Sequence, residues 1–191
     1  MKLGTVPDYS VVAALSLMPL TAAAASDVAE YPAGEGMVMT TRAGRVEASI
    51  DGARPVRVLV SVDGRAVGQV DGVSRVGDIG IYDDDGGRIF ALVEARADGA
   101  ACQRRYLVVE LFPGRVPRAS PSFGTCAEVD RAVARRNGFV AWMAGRPDGR
   151  DLTADRRRER FETRYVWSRG RLTVTVARSR PWPPPPIGTG S

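Results

Sequence analysis

Histidine is absent from all 191 residues. That closes every chemistry built on an imidazole, including a Ser-His-Asp triad, a Cys-His dyad and His-ligated zinc or haem. Lysine is nearly absent too: Lys2 stands alone, so a Ser-Lys dyad loses its base if the N-terminal segment is removed. No glycine-rich phosphate loop precedes a helical pattern. No apolar run beyond the first segment is long enough to cross a bilayer, which takes about 20 residues. Cysteine occurs only at Cys102 and Cys126, too few ligands for a zinc site and too far apart for a CxxC redox pair. What is present is globular in kind. The hydrophobic share of 44% is enough for a core, and the length suits one domain.

The first 25 residues read as a secretory signal peptide. Lys2 supplies a thin positive region, Val11 to Leu20 an apolar stretch, and Ala23-Ala24-Ala25 a small-residue cleavage site. The competing reading is a short membrane anchor, but the apolar run is about half the length of a span and Pro19 interrupts it. The expected localisation is therefore periplasmic or secreted, with no transmembrane segment after cleavage. Removal of Lys2 and Asp8 leaves 26 arginines against 21 acids, still +5. All remaining basic residues are arginine, as carboxylate or phosphate recognition would favour. A GC-rich genome is the plainer cause. In an exported chain two cysteines default to one disulfide, Cys102–Cys126. Closing a loop of about 25 residues stabilises by roughly 3–3.5 kcal/mol in the chain-entropy account.

The fold class expected is all-β: one antiparallel sandwich or barrel-like domain over residues 35–178, with at most one short helix. A linker over 26–34 precedes it. A Pro-rich flexible tail over 179–191 follows, since consecutive prolines donate to no ladder. Asp-Gly recurs at 51, 63, 71, 85, 98 and 148, joined by Asn137-Gly138 and Arg169-Gly170. These pairs tolerate the positive φ that tight hairpins demand. Between them lie short strand patterns. Val56, Val58, Val60 and Val62 form one face, as do Phe161, Thr163, Tyr165 and Trp167, answered by Leu172, Val174 and Val176. Ile89–Val93 and Leu107–Val109 are apolar on both faces, as in strands covered from both sides. Residues 127–136 fit either a short helix or half of a hairpin turning at Asn137-Gly138, and the hairpin is preferred. Tyr106, Phe112, Phe123 and Trp142 read as core, with Phe123 packing on the disulfide.

Three candidate sites arise. Arg156, Arg157, Arg158, Arg160 and Arg164, close to Phe161, Tyr165 and Trp167, are the candidate anion-binding cluster. Nearby acids make a solvated loop the plainer reading. Asp83 and Asp85 are the candidate calcium ligands. The EF-hand pattern fails there, because Arg88 stands where its glycine belongs, and a solvated hairpin turn is preferred. Glu94, Glu110, Glu128 and Asp130 supply carboxylates of the kind that hydrolyse glycosides without histidine. No catalytic residue is assigned, and neither a cofactor nor nucleic acid is expected.

Gly99-Ala100-Ala101-Cys102, the strand Tyr106-Leu107-Val108-Val109 and the segment Ser120-Pro121-Ser122-Phe123-Gly124-Thr125-Cys126 together make a distinctive pattern. A closing hairpin runs from Tyr165-Val166-Trp167 to Gly170-Arg171-Leu172-Thr173. In these places the chain resembles a family of uncharacterised exported bacterial β proteins. The resemblance covers most of residues 46–176 and is specific only around the two cysteines. It implies export, a β fold and a disulfide, and brings no activity with it. The functional expectation is a non-enzymatic envelope module binding a protein or an anionic glycan or lipid. The alternative is a carboxylate-based hydrolase of envelope glycans.

Overall fold

The structure is a computed structural model that describes residues 28–30, 36–52, 55–98, 104–147 and 161–178. The expected signal peptide, the Pro-rich tail and Arg156–Arg160 lie outside them. Every element among the described residues is a strand. Sheet 1 runs in the order β1 (Val28–Glu30), β2 (Gly36–Thr41), β3 (Gly44–Asp51), β4 (Arg57–Val62) and β5 (Arg65–Asp71). Sheet 2 follows with β6 (Arg75–Asp83), β7 (Ile89–Arg96), β8 (Arg104–Leu111) and β9 (Arg118–Ala119). Sheet 3 holds β10 (Val129–Arg135), β11 (Gly138–Ala144), β12 (Phe161–Ser168) and β13 (Arg171–Arg178). All pairings are antiparallel between chain neighbours, and no sheet closes. The all-β, antiparallel reading stands, as three open sheets, and the barrel-like one does not. β1 pairs with β2 inside the stretch read as a linker.

The turns explain this connectivity. Asp63-Gly64 and Arg169-Gly170 both hold positive φ, at 50° and 78° and at 53° and 75°. That is the two-residue geometry whose twist matches paired strands. β10 and β11 meet across Arg135↔Gly138, so residues 127–136 take the hairpin and not the helix. The strand wins because Phe139, Ala141 and Met143 on β11 need a pleated, two-sided partner.

Sheet 2 is the middle layer. On β7, Ile89, Ala91, Val93 and Ala95 point one way and pack with Val46, Val58, Val60 and Val70 of sheet 1. Phe90 and Leu92 point the other way, onto Phe139, Met143, Tyr165 and Trp167 of sheet 3. β8 divides likewise, with Leu107, Val109 and Leu111 in the first core and Tyr106 and Val108 in the second. Side chains alternate across a strand, so an unbroken apolar run is what a strand buried on both faces requires. The two cores differ in kind. The first is aliphatic. The second is aromatic, with ring centroids 5.8 Å apart for Phe90–Phe139 and 4.7 Å for Phe123–Tyr165. Gly68 lets the first two layers close up: a Cβ there would stand 2.8 Å from Leu107 Cδ1 and 3.0 Å from Ala119 Cβ.

Two expectations shift. Val174 and Val176 register against Tyr165 and Thr163, yet each is 43% exposed. β9 is only two residues long and gives β13 little to pack against. Cys126 is buried beside Thr125, and Cys102 is outside the described residues, so the disulfide is not shown. Phe123 stacks on Tyr106 and Tyr165.

Phe90 is fully buried between layers. Phe90→Ala is expected to cost about 3–5 kcal/mol in urea unfolding; a loss under about 1 kcal/mol would contradict the two-sided packing. Burial also pushes the Tyr106 and Tyr165 hydroxyls up to about 12, helped at Tyr106 by the nearby Glu94 charge. The folded state thus holds these protons more tightly than the unfolded chain. Their contribution is complete below the unfolded value of about 10 and is lost as pH climbs through the folded one. Stability should fall between pH 10 and 12, and Tyr165→Phe should flatten part of that fall.

Candidate functional site

In an up-and-down sheet, alternate turns lie at the same end. The β6–β7 and β8–β9 turns of sheet 2 thus sit together, beside the β10–β11 and β12–β13 turns of sheet 3. Each of these turns carries arginine next to its turn-forming residues: Gly86-Gly87-Arg88, Pro113-Gly114-Arg115, Pro117-Arg118, Arg136-Asn137-Gly138 and Arg169-Gly170. An open cleft of about 730 Å³ lies there, lined by Arg88, Arg115, Arg118 and Arg136 with Phe112, Val116 and a single acid, Glu110.

The four arginines are held differently. The Asp84 carboxylate is buried and accepts the backbone N–H of Gly86 and of Arg88, both at 2.8 Å, which fixes the turn. It also accepts Arg88 Nε at 3.1 Å, while Arg88 Nη1 reaches Glu110 at 3.5 Å. Arg88 is therefore anchored and neutralised. Arg115 stacks over Phe112 with its guanidinium carbon 4.7 Å from the ring centroid. Arg115, Arg118 and Arg136 meet no carboxylate among the described residues. Arg118 Nη1 stands 3.8 Å from where a Cβ on Gly170 would be, so the β12–β13 turn borders the cleft. Its Arg169 holds φ at 53°, a region that suits Asn or Gly and strains a long side chain. Three guanidiniums with no ion pair among the described residues, around an open concavity, suit an anion in electrostatic terms.

Of the anion-binding cluster expected from sequence, only Arg164 is among the described residues. Arg156, Arg157, Arg158 and Arg160 lie outside the described residues. Arg164 is on the outer face of sheet 3, away from the cleft, with Trp142 between it and Arg131; their guanidinium carbons are 5.8 Å and 4.0 Å from the indole centroid. Trp142 is 8% exposed, but the arginines cover it, not a core. Phe112 lines the cleft and is no core residue. Asp83 gives its carboxylate to Arg42 at 2.8 Å, and Asp85 is exposed in the turn. No group of metal-ligating side chains that could hold an ion occurs among the described residues.

The four named carboxylates separate. Glu110 faces the arginine cleft. Glu94, Glu128 and Asp130 line a smaller groove of about 320 Å³ between sheets 2 and 3, with Asp78, Tyr82 and Tyr106. There Glu94 accepts Arg96 Nε at 2.6 Å and faces Arg104 Nε at 3.5 Å, and Arg104 also pairs with Glu128.

No signal of local density marks Arg88, Arg115, Arg118 and Arg136, which are scattered over the chain. The available clue was positional: each neighbours a turn-former, and the turns share an end. No helix among the described residues is long and apolar enough to cross a membrane. No family model matches the chain, and neither a curated protein nor a solved structure matches it.

The strain at Arg169 has a direct test. Arg169→Asn should stabilise the protein by about 1 kcal/mol in chemical unfolding, because Asn accepts positive φ more readily. Anion binding should weaken in the same variant. A destabilised Arg169→Asn protein would show that the arginine side chain supports the fold.

Proposed function

We propose that the chain is an exported cell-envelope module that binds an anionic glycan or lipid headgroup in the arginine cleft, without catalysis. The observation that carries this reading is the cleft itself: Arg115, Arg118 and Arg136 converge on one concavity with no acidic partner among the described residues. Elsewhere in the fold Arg57 is paired with Asp51 at 2.7 Å. Leaving several unpaired at one end is unfavourable for the fold by self-repulsion and is offset when an anion binds. Export, the resemblance to exported β proteins and the Cys102–Cys126 disulfide belong to the same proposal. The disulfide would tie the start of β8 to the segment that pairs with it through Tyr106 and Phe123.

A second reading has one observation in its favour. Glu94, Glu128 and Asp130 share a groove with two tyrosines, as a carboxylate hydrolase of envelope glycans would require. However, guanidiniums surround these acids. A general acid needs apolar walls that favour its protonated form. The anion-binding reading is preferred on that contrast.

The test uses the oxidised chain over residues 26–191. Phosphatidylglycerol vesicles and a soluble uronic-acid glycan should each be assayed at low salt. At least one should bind and be released by about 0.3 M salt, where the Debye length is roughly 6 Å. Arg115→Ala and Arg118→Ala should each weaken binding by about tenfold, the loss of one charge-assisted hydrogen bond. Absence of binding to both probes, or binding indifferent to these substitutions, would overturn the reading. Glycan turnover lost in Glu128→Gln would put the hydrolase in its place.

A further inference from the structure

The cleft is not the end of the basic surface. On sheet 3, Phe139, Ala141, Met143, Tyr165 and Trp167 point into the second core, so the alternate residues face outward. The register sets these out in rows. Arg131, Trp142, Arg164 and Thr175 form one row, and Val133, Val140, Val166 and Thr173 the next. Arg135 and Arg171 close the face at the turn end. Arg131 and Arg135 are about 13 Å apart along their strand, and Arg131 and Arg164 about 10 Å apart across it. Arg135 is followed by Arg136 of the cleft, and Arg171 by way of Gly170 adjoins Arg118. Arg131, Arg135, Arg164 and Arg171 all lack an ion pair among the described residues; the rows include one acid, Glu162, at the far end, and at Arg131 the face borders the groove that holds Glu94, Glu128 and Asp130.

We infer that the cleft and the outer face of sheet 3 form one track, and that its ligand is a linear polyanion with repeating phosphate groups. The inference rests on the anion-binding reading and narrows its ligand, glycan- or lipid-linked, to one whose repeating charge is phosphate. Two features argue for phosphate repeats over sugar rings. Sugar recognition uses open aromatic faces, and the track's central aromatic, Trp142, is 8% exposed with the guanidiniums of Arg131 and Arg164 over its ring. Guanidinium donors form a planar fork that matches phosphate oxygens in pairs. A single headgroup would occupy the cleft and leave the face unused, whereas a chain of charges meets arginines at intervals of about 10–13 Å over its length.

The experiment titrates the oxidised chain with pyrophosphate and with long-chain polyphosphate, compared per phosphate, at several salt concentrations. The long chain should bind at least tenfold more tightly, with a steeper fall of log K against log salt, since each neutralised phosphate adds to the slope. A doubly substituted face, Arg131→Gln with Arg164→Gln, should lose about tenfold for the long chain and keep pyrophosphate. Arg115→Gln with Arg118→Gln should lose both. A long chain no tighter than pyrophosphate, or unaffected by the face substitutions, would overturn the track and leave the cleft. Failure of both phosphates together with the headgroup and glycan probes would overturn the anion site itself. Equal binding of a carboxylate polymer would overturn the assignment to phosphate. Circular dichroism of each variant separates loss of fold from loss of contact.

Discussion

Everything in this structure depends on β7 and β8 being buried on both faces. A sheet with one apolar face makes one interface. A sheet with two makes a stack, and among the described residues sheet 2 touches both others through cores. Ala91, Ala95 and Val109 on one side match the valines of sheet 1, and Phe90 on the other meets the rings of sheet 3. The strands meander, so each sheet places its alternate turns at one end. Once the layers are stacked, those ends coincide. The arginine cleft is a result of that topology: it is made of turn residues from two sheets, brought together because a middle sheet holds them face to face.

The polar residues near the cleft show which charges serve the fold. Asp84 has a buried carboxylate that accepts three hydrogen bonds, one of them from the Arg88 guanidinium, so it fixes the β6–β7 turn and spends Arg88 in doing so. Arg57 with Asp51 and Arg96 with Glu94 are similarly spent. Against these, Arg115, Arg118 and Arg136 contribute no ion pair among the described residues, and Arg169 occupies a backbone conformation unfavourable for its side chain. Strain and unrelieved charge at one place are the usual sign of a requirement other than stability.

Much of the fold was legible because it is written locally. The unbroken runs Ile89–Val93 and Leu107–Val109 signal strands covered on both sides, and Asp63-Gly64 and Arg169-Gly170 signal tight hairpins. Layer assignment was not legible, since period-2 patterns state that a strand has an apolar face but not which sheet it meets. Val174 and Val176 show the limit: their pattern is that of core residues, and only the shortness of β9 leaves them exposed. Trp142 shows another, because guanidinium groups lie over an indole on an outer face and leave it 8% exposed. The cleft was not legible for the same reason. Density in sequence points to Arg156–Arg160, which lie outside the described residues, whereas the cleft is assembled from arginines that the stacking of sheets brings together.

The most direct measurement is an NMR spectrum of the isotope-labelled full chain that resolves backbone amides and arginine Nε groups, recorded during titration with long-chain polyphosphate. The account predicts shifts at the β8–β9 turn, at Arg136 and Arg169, and along the outer rows of sheet 3 at Arg131 and Arg164, with β4 and β5 of sheet 1 unmoved. Shifts centred on sheet 1, or on the Glu94 groove with the cleft silent, would contradict it.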